Sequence, residues 1–242
     1  VKILGVIPAR LAATRLPRKP LLAIAGAPMI QRVYDGARQS AAWSALLVAT
    51  DSNEILDYCR SAGIPAERTS PRHASGTDRI REVAARHDAD VVANIQGDEP
   101  MVTGRHVEAL LAPFQNRPET AVATLAVPLE PDQAGDPNVV KVVRRRDGRA
   151  LYFSRAPIPF DRDGTGVERL KHLGFYAYRR DALERFGTFE VSALERAERL
   201  EQLRLLENGI DIDVRLAPSD TWSVDTAEDL ARVEEYFRLN VR

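Results

Sequence analysis

At 242 residues, with 44% apolar and 29% charged side chains, the chain has the size and balance of a globular protein with a sizeable core, which excludes a disordered or fibrous polypeptide. Its net charge of −1, from basic and acidic residues scattered along the sequence, leaves no basic field for nucleic acid, so a small-molecule or phosphate ligand is expected instead. No apolar run reaches membrane-spanning length, Val1–Pro8 is too short for a signal peptide, and the lone Cys59 excludes an internal disulfide, so a cytoplasmic protein is expected.

The first half alternates Val- and Ile-rich runs with segments of helical period, the pattern of βαβ units around a parallel sheet buried on both faces. Strands are predicted at Ile3–Pro8, Ala45–Thr50 and Asp90–Ile95. Helices are predicted at about Met29–Gln39, Asn53–Ala62, Asp78–His87 and Arg105–Phe114, with Pro28 and Asp51 as helix starts. From Ala121 the strands shorten to Val122–Val127, Val139–Arg144 and Ala150–Ser154, with Asp147-Gly148 as a turn, and read as an antiparallel excursion. A strand at Leu170–Tyr178 follows, then helices at Arg180–Phe186 and Ala193–Asn208, the latter ended by Gly209, and a last helix at Thr226–Phe237. Without a repeat or a flexible linker, the expectation is one α/β domain over residues 1–242 with an excursion at about 121–215.

The loop after the first strand, Pro8–Pro20, carries Arg10, Arg15, Arg18 and Lys19 among small residues. Small residues let backbone N–H groups approach an anion, Arg offers a fork of donors and Lys a compact charge, so the loop suits a triphosphate; a solvated basic loop is the plain alternative. Its place at the carboxyl end of a strand is the ligand crevice of open α/β sheets. Neither G-x-x-x-x-G-K-[ST] nor G-x-G-x-x-G is present, which disfavours a P-loop kinase or a dinucleotide oxidoreductase.

Asp98 follows an apolar strand and the turn Gln96-Gly97, which places it at the same sheet edge, with Glu99 as a further acid. Asp225 follows Trp222-Ser223-Val224 and precedes a helix, where it either joins Asp98 or caps the helix. Two carboxylates beside a triphosphate are what magnesium needs, since it takes one or two protein ligands and keeps water and phosphate oxygens. Ser75-Gly76-Thr77 either collars a base or ribose or starts a helix, and His73 by itself reads as structural.

Arg10-x-x-x-Thr14-Arg15-Leu16-Pro17-x-Lys19-Pro20 resembles the opening of the sugar-nucleotide cytidylyltransferases. His73–Arg79, Asn94–Pro100, Ala150–Arg155, His172–Tyr176 and Val224–Thr226 then follow in the order of the branch acting on 3-deoxy-manno-octulosonate (Kdo), over nearly the whole chain. The resemblance implies a Rossmann-like three-layer nucleotidyltransferase with a mostly parallel central sheet, whose smaller antiparallel insertion binds sugar and forms a homodimer. It implies transfer of CMP from CTP to the anomeric hydroxyl of Kdo with release of pyrophosphate, a step of lipopolysaccharide synthesis.

It also implies Mg2+ at Asp98 and Asp225, with Arg10, Arg15 and Lys19 on the phosphates and Lys19 stabilising the leaving group. Ala9, Ser75, Gly76, Asp78 and Arg79 would frame the cytidine, Gln96 and Arg155 would approach the sugar carboxylate, and His172, Tyr176, Glu201 and Gln202 its hydroxyls. Read locally, Glu201 and Gln202 are equally the solvated face of a helix. The chain departs from the family pattern at Ala13, Arg18 and Ser223, where a small hydroxyl residue, glycine and glycine are common, and none of these removes a charge the chemistry needs. The rival readings are a cytidylyltransferase for another acidic sugar and a silent nucleotide-binding regulator on the same fold.

Overall fold

The computed structural model describes residues 1–11, 16–117 and 119–240. The chain divides into two compact units, residues 1–108 with 221–242 and residues 109–220.

In the first unit four strands lie in the order Val91–Asn94, Ile3–Ala9, Ala45–Thr50 and Ala66–Arg68, each parallel to its neighbours. All but the last are nearly continuous apolar runs because both faces are covered. Helices Met29–Ala37, Asn53–Ser61 and Gly76–Ala84 connect them. Pro28 starts the first as expected, but Ser52, not Asp51, caps the second by accepting from Ile55 N–H at 3.3 Å. A small hairpin pairs Ala23–Ile24 with Ala27–Pro28. Helix Ala227–Asn240 closes the unit by packing Val233 and Phe237 on Ile24, Met29 and Val224.

The second unit is mixed. Strand Leu170–Arg179 runs antiparallel to both Val122–Pro128 and Lys141–Arg144, and the latter pairs with Ala150–Ser154. The antiparallel excursion also takes in one parallel pair, Ile212–Leu216 beside Val122–Pro128. The single helix expected over 193–208 is in fact two, Ala193–Glu198 and Gln202–Glu207, broken where Arg199 turns left-handed at φ 53°. The break lets Arg204 grip Glu195 with two hydrogen bonds, at 2.7 and 2.5 Å. In an unbroken helix those residues would stand about 13 Å apart along the axis.

Candidate functional site

Three segments of the first unit meet at the carboxyl ends of its strands. Gly97 abuts the end of the first strand so closely that a Cβ there would lie 2.5 Å from the Pro8 carbonyl oxygen, so only glycine allows the approach. A Cβ on Gly76 would lie 3.4 Å from Pro8 Cγ and 3.8 Å from Gln96 Oε1. Arg10 Nη2 donates to the Ala74 carbonyl at 3.1 Å. Ala9, Arg10, Gly76 and Gln96 are thereby gathered, with Ala9 buried. Arg15 and Ala13 lie outside the described residues.

Lys19 begins a short 3-10 turn, Lys19–Leu21, entered through Arg18 at φ 58°. That left-handed backbone is the reason glycine suits position 18. The Arg18 guanidinium turns to Glu54. Lys19 Nζ instead donates to Asp98 Oδ2 at 2.8 Å and to Asp225 Oδ1 at 3.0 Å. The acids are brought together by the backbone, because Val224 N–H donates to the Asp98 carbonyl at 2.9 Å.

The helix-capping alternative for Asp225 falls to its neighbour: Thr226 Oγ1 accepts from Asp229 N–H at 3.1 Å, and Asp229 Oδ2 accepts from the N–H groups of Asp225 and Thr226. The Asp225 side chain is therefore not needed as the cap. Burial by itself would lower the Lys19 pKa, but Asp98 and Asp225 outweigh it and hold the ammonium above its usual value, so the lysine is charged at neutral pH.

Ser75 caps helix Gly76–Ala84 by accepting from Asp78 N–H at 3.2 Å, and its hydroxyl lies 3.3 Å from Asp78 Oδ2. The capping reading thus holds for Ser75, while the helix N-terminus remains beside Pro8 and Gln96. Arg79 is fully buried: it donates to Thr69 and lies 3.6 Å from Asp51, while its Nε and Nη2 atoms have no hydrogen-bond partner among the described residues. Burial lowers its pKa, with Asp51 opposing. His73 pairs with Glu82, the structural role its isolation suggested. Glu99 is buried.

In the second unit a register shift between Leu173 and Tyr176 in strand Leu170–Arg179 turns His172 and Tyr176 toward the same neighbour. His172 Nε2 lies 3.1 Å from Thr124 Oγ1 and 2.9 Å from the Tyr176 hydroxyl. His172 is half-buried, and burial pushes its pKa from 6.5 to about 3, so the imidazole is neutral near pH 7. Burial raises the Tyr176 phenol well above its usual value.

Arg155 Nε donates to the Glu198 carbonyl at 2.7 Å and Nη1 to the Pro137 carbonyl at 2.8 Å. Glu201 is half-buried before helix Gln202–Glu207, and Gln202 is buried with its Nε2 lacking a hydrogen-bond partner among the described residues, so Gln202 is not part of a solvated face. Residues that the sequence did not single out are Thr124, Lys141 and Glu198. The only signal for Thr226 and Asp229 was their T-x-x-D spacing.

The profile of the cytidylyltransferase family matches residues 4–212. The chain is 56% identical to the 3-deoxy-manno-octulosonate cytidylyltransferase of Acidobacterium capsulatum, over 97% of this chain and 96% of that one. It is 52% identical to the protein of that name from Koribacter versatilis, over 98% and 91%. Among solved structures, CMP:2-keto-3-deoxy-manno-octonic acid synthetase complexed with CTP superposes with a TM-score of 0.96 at 43% identity, covering all of both chains. The fold is accordingly the Rossmann-like, mostly parallel α/β nucleotidyltransferase fold that the sequence led us to expect.

Proposed function

The chain belongs to the cytidylyltransferase family, and from that premise we propose that it transfers CMP from CTP to the anomeric hydroxyl of Kdo. The observation that carries the reading is the meeting of Asp98 and Asp225 on the Lys19 ammonium, at 2.8 and 3.0 Å. Two carboxylates that reach one ammonium converge on one point, and this donor set fits magnesium, which draws its other ligands from water and substrate. Bound there, magnesium would offset charge on the α-phosphate and acidify the attacking hydroxyl.

The remaining chemistry falls to the chain. Arg10 and Arg15 hold the phosphates, and Lys19, on a flexible stem, takes charge from the pyrophosphate as it leaves. Pro8 and Ala9 backbone, Ser75, Gly76, Asp78 and Arg79 frame the cytidine, Arg79 acting from beneath. Gln96 and Arg155 take the sugar carboxylate, and neutral His172 with Tyr176, Glu201 and Gln202 takes the hydroxyls. The anomeric oxygen attacks the α-phosphorus in line, the bond to the β-phosphate oxygen breaks, and the hydroxyl proton passes to solvent. Alignment and fixed charge supply the rate, without a covalent enzyme intermediate.

The same reading places the enzyme in the cytoplasm as a homodimer that supplies lipopolysaccharide synthesis; exposed Leu151 and Phe160 are apolar surface for a second copy to cover. Its test is product analysis after incubation with CTP, magnesium and an equimolar mixture of Kdo, 8-amino-Kdo and N-acetylneuraminate. CMP-Kdo is the expected main product, and a predominant conjugate of either other sugar would reassign the substrate.

A further inference from the structure

Lys141 is fully buried in strand Lys141–Arg144, where an apolar side chain would be usual. No carboxylate of the described residues lies within 4.0 Å of its ammonium, which donates instead to two carbonyls, Asp136 at 2.9 Å and Arg155 at 2.5 Å. Burying a cation whose direct partners are neutral, with the Asp136 and Glu198 carboxylates acting on it only from beyond 4.0 Å, is expensive, so its retention calls for a return. What it obtains is the position of the Arg155 backbone.

The other side of Arg155 is held by Glu198. One carboxylate oxygen accepts from Arg155 N–H at 2.8 Å, the second from the Ser154 hydroxyl at 2.6 Å, and the Glu198 carbonyl accepts from Arg155 Nε at 2.7 Å. With Nη1 bonded to Pro137, the guanidinium is fixed by Nε and Nη1, and Nη2 makes no hydrogen bond among the described residues. A half-exposed arginine pinned on one edge presents the other in a single orientation, the arrangement that recognises a carboxylate with least loss of side-chain entropy.

We propose that Lys141 and Glu198 form a two-sided clamp that orients Arg155 toward the carboxylate of the sugar, making both positioning residues for sugar binding. This rests on the reading of Arg155 as the carboxylate's partner. The clamp predicts a selective defect, because its hydrogen bonds all run among residues 136–198 of the second unit.

The test is steady-state kinetics of Lys141→Met, Glu198→Gln, Arg155→Ala and the double variant Lys141→Met/Arg155→Ala, each checked for folding by circular dichroism. Lys141→Met should raise KM for Kdo about tenfold, a loss of about 1.4 kcal/mol, with KM for CTP within about twofold of the parent. Glu198→Gln should act in the same direction and decides the matter if Lys141→Met does not fold. The double variant should bind sugar no worse than Arg155→Ala alone, since the lysine acts through the arginine. Unchanged KM for Kdo in folded Lys141→Met and Glu198→Gln, against a raised value in Arg155→Ala, would overturn the clamp and leave the sugar site standing. Unchanged KM for Kdo in Arg155→Ala would overturn the sugar-site reading and the clamp with it.

Discussion

Asp98 and Asp225 share one ammonium, so each carboxylate is held in place by the Lys19 cation. Replacing Asp98 by Asn keeps the shape and a hydrogen-bond acceptor for Lys19 but removes a hard charged ligand. Turnover of Asp98→Asn should fall at least about 100-fold while thermal unfolding shifts by no more than a few degrees; full activity with magnesium would sink the metal assignment. His172 gives a prediction of a different kind. Its folded pKa of about 3 lies below the unfolded value of 6.5, so the unfolded chain binds the extra proton first. The neutral ring therefore contributes stability fully above pH 6.5, and that contribution is lost progressively as pH falls toward 3. Denaturant titrations at pH 7 and pH 4 should show a loss of a few kcal/mol in the parent. His172→Gln should flatten this slope, and equal slopes in both proteins would contradict the neutral imidazole.

Asp98 was legible at the element scale because it stands at the end of an apolar strand, behind a Gln-Gly turn whose glycine has a measurable reason to be there. Gly97→Ala would set a methyl group 2.5 Å from the Pro8 carbonyl oxygen. It should cost about 2 kcal/mol or more and lower activity by displacing Asp98; a variant with parental stability and rate would show that the two loops separate easily. Asp225 was ambiguous because a helix start accepts Asp, and only the fold assigned the cap to Thr226 and Asp229. Thr226→Ala should cost about 1 kcal/mol in urea unfolding, with Thr226→Ser close to the parent.

Other elements were hidden for physical reasons. Ile212–Leu216 contains Asp213, a residue that reads as a loop until its carboxylate is seen buried against Arg117 at 2.8 Å and Thr120 at 3.2 Å. The break at Arg199 has no local signal at all, since it is stabilised by the Glu195–Arg204 pair across it. Lys141 was passed over because one lysine in a strand pattern reads as solvated, and its burial is a property of the folded unit.

For the whole molecule, strand alternation and the order of the motifs were sufficient to anticipate an α/β nucleotidyltransferase, and the superposition on the CTP-bound synthetase agrees. The excursion expected at about 121–215 falls within the second compact unit, whose bounds were not legible because no linker marks residues 108 and 221. The groups proposed for the nucleotide, Arg10, Lys19, Asp98 and Asp225, fall in the first unit, and Arg155, His172, Tyr176 and Gln202, proposed for the sugar, fall in the second. Nucleotide should therefore stabilise the protein without sugar. At a hundred times its dissociation constant, CTP with magnesium should add about 2.7 kcal/mol, seen as a rise in melting temperature that ATP, GTP and UTP do not match.

The most direct measurement is pyrophosphate release from the intact protein with CTP, magnesium and Kdo, beside reactions lacking one component and reactions with the other nucleoside triphosphates. Release that requires all three components and is led by CTP is the predicted result. A folded, magnesium-replete protein that binds CTP yet releases no pyrophosphate with Kdo would contradict Kdo activation as its reaction.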